Sequence, residues 1–405
     1  MGRVPPRANV LCTLLLATLA GGPILSALAN TGGADNAAPV AANERNFRAA
    51  IATIESSDGA YAAGLSEQLL SLGQALQAQG RHEEAVDLFK RGVHLARINE
   101  GLHSEQQIPL LQAQISSHIA LGEYTEADDR QRYMYRVQVR SMSSGQARTM
   151  ALMQQANWQY NAYMLDLGPQ GYSRLMNMWD LYRLALNDII ELEGEASRNL
   201  LPPLRGMLKA QYLIAEYNPE DDNQASGDDL GARQEFNRFN AYRAQSYQKG
   251  SAVITAMRQI EQQREGEQSV AAAKKLVMLG DWQLWHDKRD DAMQSYQLAL
   301  VELAERDDAQ VHIEQLLGTP VALPDMDGVR HLPPAVDPEQ GDILLEFGVT
   351  EGGRVVDLER VDDNEVSSGA ANRLMRKLRK TQFRPRFEAG APIGTDKLVR
   401  AYVIK

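Results

Sequence analysis

Cysteine is almost missing from this 405-residue chain, and the only one, Cys12, lies in an apolar stretch near the N-terminus. If that stretch is removed, the rest can form no disulfide, no thiolate metal site and no cysteine nucleophile. Positive charge is also scarce: 42 Lys/Arg against 53 Asp/Glu give a net charge of −11. That is the wrong sign for a nucleic-acid partner, whose phosphates need a basic face. Catalytic motifs are missing as well. The seven histidines make no H-E-x-x-H spacing, because His82-Glu83-Glu84 is not followed by a second His at the right offset. There is no G-x-S-x-G elbow and no phosphate-cradling G-x-x-x-x-G-K. Asp325-Met326-Asp327-Gly328 begins like a calcium loop but lacks the remaining oxygen ligands. The expectation is a protein that is not an enzyme and needs no cofactor or metal.

One long apolar run is present. Arg3 and Arg7 precede Val10–Ala20, Gly21-Gly22-Pro23 breaks the run, and Ala27-Leu28-Ala29 offers the small-x-small pattern read by signal peptidases. Residues 1–29 therefore read as a signal peptide, with Ala27, Ala29 and Asn30 flanking the cut and a periplasmic location to follow. The alternative is a retained inner-membrane anchor facing the periplasm, since Val10–Ala29 is 20 uncharged residues. No other stretch approaches 18 apolar residues.

The rest divides by composition. Residues 30–45 are small and polar and read as a flexible tail. From 46 to 317 the apolar period is helical, interrupted at Gly, Pro and Asp clusters and by the charged loop 219–231. Residues 318–340 hold five prolines, a density that predicts a stiff extended linker. Beyond it the period becomes strand-like: Ile343, Leu345, Phe347 and Val349 alternate, Glu351-Gly352-Gly353 makes a turn, and residues 354–361 return. A helix capped by Ser367 follows, then strand candidates at 383–387 and 398–404, an order β-β-α-β. This tail segment, 341–405, carries 12 Lys/Arg and 10 Asp/Glu, so the acidic excess belongs to residues 1–340. Two surfaces of different charge suggest two partners.

Within the helical region Leu69, Leu72, Gly73 and Leu76, followed by Ala85, Phe89 and Gly92, match Leu276, Leu279 and Gly280, followed by Ala292, Tyr296 and Ala299, at the same offsets. Small residues opposite aromatics let two antiparallel helices approach closely. These offsets resemble the tetratricopeptide repeat, although the terminal proline is replaced by Arg97 and Ala304. A third unit, Leu111, Gly122 and Ala127, falls 42 residues after Leu69, Gly80 and Ala85, longer than the usual period. The resemblance implies a helical-repeat solenoid that binds proteins or peptides.

In residues 341–405, Gly341–Val349, Gly352-Gly353-Arg354-Val355-Val356, the helix, Phe383-Arg384-Pro385 and Gly390-Ala391-Pro392 are similar to the carboxy-terminal domain of TonB. That resemblance implies a partner added as a strand at Leu398, Val399, Arg400, Ala401, Tyr402 and Val403. It also implies outer-membrane or peptidoglycan-associated partners, or a homodimer through the same strand. The chain lacks the long Pro-Glu and Pro-Lys rod of TonB transducers, and His331-Leu332-Pro333-Pro334 replaces their Tyr-Pro pair. A basic set, Arg373, Arg376, Lys377, Arg379 and Lys380, with Arg384 and Arg386 beyond it, offers a face to anionic groups. The reading is a mainly α protein: a helical-repeat domain and a small α+β domain, serving as an envelope adaptor. The alternatives are an energy-transducer component or an envelope enzyme whose site is dispersed in sequence.

Overall fold

The computed structural model describes residues 37–168, 171–218, 230–266, 269–362 and 368–403, and divides into two compact units, 1–188 and 189–405. The signal-peptide residues Ala27, Ala29 and Asn30, the Ser367 cap and most of the 219–231 loop lie outside the described residues.

The first unit is a succession of helices: α1 (Ala37–Asp58), α2 (Leu65–Gln77), α3 (His82–Glu100), α4 (Gln107–Ala120), α5 (Tyr124–Ser141), α6 (Gln146–Met164) and α7 (Gly171–Glu193), the division falling inside α7. Helix α1 begins within the stretch expected to be a flexible tail, and its Glu44 pairs with Arg81 at 2.9 Å. The hairpins α2/α3, α4/α5 and α6/α7 share one turn. A residue of positive φ, namely Gly80, Gly122 or Asp166, precedes an amide that bonds back to the carbonyl five residues earlier: Arg81 to Leu76, Glu123 to His118, Leu167 to Ala162. Glycine tolerates that left-handed conformation freely and aspartate with little strain. The turns recur 42 and 44 residues apart, so the repeat runs through 130–165, where side-chain similarity had faded.

Packing within and between the hairpins follows from single small residues. A Cβ on Gly73 would lie 2.3 Å from the Phe89 ring, and one on Gly92 would lie 2.5 Å from Leu110. Only glycine admits those approaches without a shift, and they let Leu76, Ala85, Phe89 and Leu111 close into one core.

The second unit contains α8 (Leu201–Glu216), α9 (Leu230–Arg243), α10 (Ser246–Glu265), α11 (Val270–Trp285), α12 (Arg289–Ala304) and α13 (Ala309–Leu317). Helices α9 and α10 are separated by a short break between Arg243 and Ser246. The α11/α12 hairpin repeats the same turn, with Asp287 at φ 58° and Lys288 bonding to Gln283. It also repeats the same close approach, Gly280 against Tyr296 at 2.4 Å. Trp282 is fully buried against Gly250 and Tyr212, and its Nε1 donates to the Tyr247 carbonyl at 3.0 Å.

The proline-rich stretch is not a free linker. Its β1 (Val321–Ala322) pairs with β5 (Phe383–Arg384), and its β2 (Ala335–Val336) pairs with β8 (Thr395–Tyr402). Leu323, Val329 and Leu332 are buried. Proline forbids a helix but tolerates short edge strands and extended chain, and three apolar residues between the prolines supply the reason to pack. The main sheet runs β2-β8-β3-β4, with β3 (Ile343–Val349) and β4 (Val355–Arg360) joined at the expected hairpin. Helix α14 (Ser368–Lys380) covers one face, sinking Ala371, Leu374 and Leu378 against Ile343, Leu345 and Phe347. Pro385 splits the expected 383–387 strand into β5 and β6 (Arg386–Glu388). The latter pairs with β7 (Ala391–Ile393) through a tight turn at Ala389-Gly390. Phe387, Leu317 and Leu323 share a core with Leu276, Ala292 and Tyr296, so the last helical hairpin and the sheet region fold as one body. Among the described residues no helix is long and apolar enough to cross a membrane, and no group of His, Cys, Asp or Glu is placed to hold a metal ion.

Candidate partner-binding surfaces

The expected strand-addition edge is β8, and the sheet order corrects that expectation. β8 lies between β3 and β2, and Ala401 and Tyr402 are paired on both sides, to Leu344 and Ile343 and to Val336 and Ala335. Both side chains are buried. The cause is β2, which comes from the stretch that was expected to hang free. Toward the other end, Thr395–Arg400 has strand partners only from β3 among the described residues. Val399 and Val403 are exposed, and Leu398 and Arg400 are half-buried. Any added strand is thus confined to the 395–400 half.

The basic set divides in two. Arg373, Arg376, Lys377, Arg379 and Lys380 are all exposed on α14, opposite its buried stripe. None makes an ion pair with another described residue. Arg384 does not belong with them. It is buried in β5 and donates from Nη1 to Asp281 Oδ2 at 2.7 Å, while Tyr296 Oη donates to Asp281 Oδ1 at 2.8 Å. Burial pushes the Asp281 carboxyl up, against the pull of Arg384 and Tyr296. Burial also opposes the charge on Arg384, yet Asp281 beside it holds the guanidinium above its ordinary range. We take the pair as ionised because both hydrogen bonds favour the charged carboxylate. Its signal in the sequence was a carboxylate four residues after Val277, on the apolar stripe of α11.

A surface that sequence reasoning missed lies in the first unit. A cavity of about 530 Å³ opens between α5, α6 and α7, with Gln155 and Gln159 at its base and Arg132, Arg136 and Asn177 among its walls. Both glutamines are at least 95% buried. Gln159 Oε1 accepts from Arg174 Nη1 at 3.2 Å, and Gln155 Oε1 accepts from Gln131 Nε2 at 2.9 Å. An arginine can only donate, which fixes the Gln159 amide with its NH₂ on the other side. Neither Nε2 has a hydrogen-bond partner among the described residues. Arg174 is held in turn by Asp128 at 2.6 Å, which also accepts from Trp158 Nε1 at 2.7 Å. The arrangement presents the fixed Gln159 donor, with two arginines at the rim, to acceptor-bearing groups. Amides one helical turn apart in a weakly amphipathic segment gave no sequence signal stronger than that of an ordinary helix.

Comparison with known proteins adds little to this description. No family model and no curated protein matches the chain. Solved structures with helical repeats do align. One is described as a kinesin light chain from Podosopora anserina with nearly identical TPR-like repeats, at 12% identity and TM-score 0.36, over 59% of this chain and 94% of that one. Another is BtubC (BKLC) from P. vanneervenii, at 12% identity and TM-score 0.36, over 66% of this chain and 89% of that one. At those values the likeness carries no argument, and the helical-hairpin repeat stands on the recurrent turns and glycine–aromatic contacts above.

Proposed function

We propose that the protein is a non-enzymatic adaptor of the cell envelope that holds protein or peptide partners on two separate surfaces. One surface is the α5–α7 groove; the other is the α14 face with the open half of β8 in the TonB-like region. The groove carries the reading. Gln159 is oriented by Arg174 with its NH₂ unpaired, and buried Gln155 lies one turn away in the same cavity, an arrangement suited to the carbonyl and carboxylate oxygens of a bound segment. The exposed cations of α14 suit an acidic partner and complement the acidic excess elsewhere in the chain. Export, and hence a periplasmic setting, is supported by the Arg3 to Ala29 pattern.

Site-specific photo-crosslinking tests the groove. A benzophenone side chain at Asn177 should trap a discrete partner in intact cells, and one at exposed Met150 on α6 should not. Gln155→Leu with Gln159→Leu should lower the Asn177 yield severalfold. Equal trapping at both positions, or no effect of the double substitution, would remove the groove from the proposal. Sequencing of the mature N-terminus tests export separately: a chain that begins at Asn30 supports the periplasmic adaptor, and a chain that keeps Val10–Ala29 supports an anchored transducer.

A further inference from the structure

A second cavity, of about 230 Å³, lies in the other unit, where the proline-rich stretch crosses the sheet. Its walls are largely apolar, from Leu323, Pro324, Leu332, Phe347 and Phe383. Two arginines, one histidine, one phenol and the Asp325 carboxylate reach it. Arg330 is already committed, bonding Asp325 at 2.8 Å and Asp327 at 2.5 Å. His331, also in the wall, pairs with Glu216 at 2.5 Å. Arg400 is not committed: it forms no hydrogen bond or ion pair with any described residue, although it is half-buried beside the cavity. Tyr402, two residues along β8 and so on the same sheet face, is 4% exposed. Its hydroxyl has no hydrogen-bond partner among the described residues.

Arg400 and Tyr402 both line the cavity, and each keeps a donor that no described residue takes up. One ligand chemistry satisfies both. A carboxylate accepts from the guanidinium and from the phenol at once, and the apolar walls receive whatever short apolar group it carries. Burial pushes the Tyr402 phenol up, so at neutral pH it is a donor. We infer that this cavity is a binding site for a carboxylate borne on a short apolar group, held by Arg400 and Tyr402. Two sources have that chemistry: the free C-terminus of a peptide ending in an apolar residue, and a small free monocarboxylic acid. The cavity volume accommodates one such group and no extended chain.

The full chain is titrated by calorimetry with N-acetyl-Ala-Leu as the free acid, with the same dipeptide as its carboxamide, and with 4-methylpentanoate. The free acid should bind at least roughly tenfold more tightly than the carboxamide, because the amide replaces a charge-assisted pair with a neutral one. Arg400→Gln should weaken acid binding by roughly tenfold or more, and Tyr402→Phe by about threefold to tenfold. Each variant should keep the far-UV circular dichroism of the parent chain. Arg400→Lys, which keeps the charge without the fork, should fall between. Binding of the dipeptide acid without 4-methylpentanoate assigns the site to chain termini, and binding of both assigns it to carboxylates generally. Equal binding of acid and carboxamide, absence of binding by every probe at millimolar concentration, or unchanged affinity in Arg400→Gln would overturn the inference.

Discussion

His286 lies among three aromatic rings, with centroids 4.3 Å from Trp282, 4.7 Å from Trp285 and 5.3 Å from Tyr247, and its Nε2 is buried without a partner. Burial pushes its pKa down to about 4 from the ordinary 6.5. The unfolded chain then binds a proton at higher pH than the folded chain does. The contribution of this group is fully present above pH 6.5 and is lost as pH falls through the window toward 4. Thermal melts across pH 4–7 should show that loss, and His286→Gln should flatten it; an unchanged slope would exclude His286 as its source. The Asp281–Arg384 pair makes a sharper case. Arg384→Met leaves a buried carboxylate without its counter-charge and should cost about 3–5 kcal/mol in urea denaturation. Asp281→Leu with Arg384→Met should recover most of it, since an apolar pair replaces a buried ionic one at little cost. At this scale the sequence was a poor guide. It placed Arg384 with the solvated cations of α14, because a run of basic residues carries no mark of which member turns inward.

At the scale of elements the helices were legible because their apolar periods are long, and the β3–β4 hairpin because a Glu-Gly-Gly turn separates two alternating runs. The proline-rich stretch was misread because its prolines exclude a helix but say nothing of Leu323, Val329 and Leu332, whose burial is decided by residues far along the chain. The 42- and 44-residue recurrence was half visible: Gly80 and Gly122 were aligned, but Asp166 and Asp287 perform the same turn without glycine. The glycine–aromatic contacts inside the hairpins can be tested directly. Gly73→Ala places a methyl group 2.3 Å from the Phe89 ring and should cost about 1–3 kcal/mol. Adding Phe89→Leu should recover part of that loss. If Gly73→Ala melts with the parent chain, the close approach is not what holds α2 on α3.

For the molecule as a whole, the boundary between helical repeats and tail domain that composition suggested at 317/341 is not a boundary in packing. Tyr296, Leu317 and Phe387 occupy one core, and Asp281 and Arg384 bridge it. A chain stopped after Leu317 would expose that core and leave Asp281 without its arginine. The α11–α13 region should then become sensitive to brief proteolysis while residues 46–165 stay resistant. Equal resistance throughout would show that the hairpin closes by itself. The bridge also sets an order of events. Its two charges are 103 residues apart in sequence, so helix α11 leaves the ribosome with a carboxylate whose counter-ion has not been synthesised. Its final packing must wait for β5 to be made, a long-range closure of the slow kind. The end of the second unit therefore stays loose until Arg384 has been made, whereas the hairpins before it, closed by turns of a few residues, can settle as they emerge.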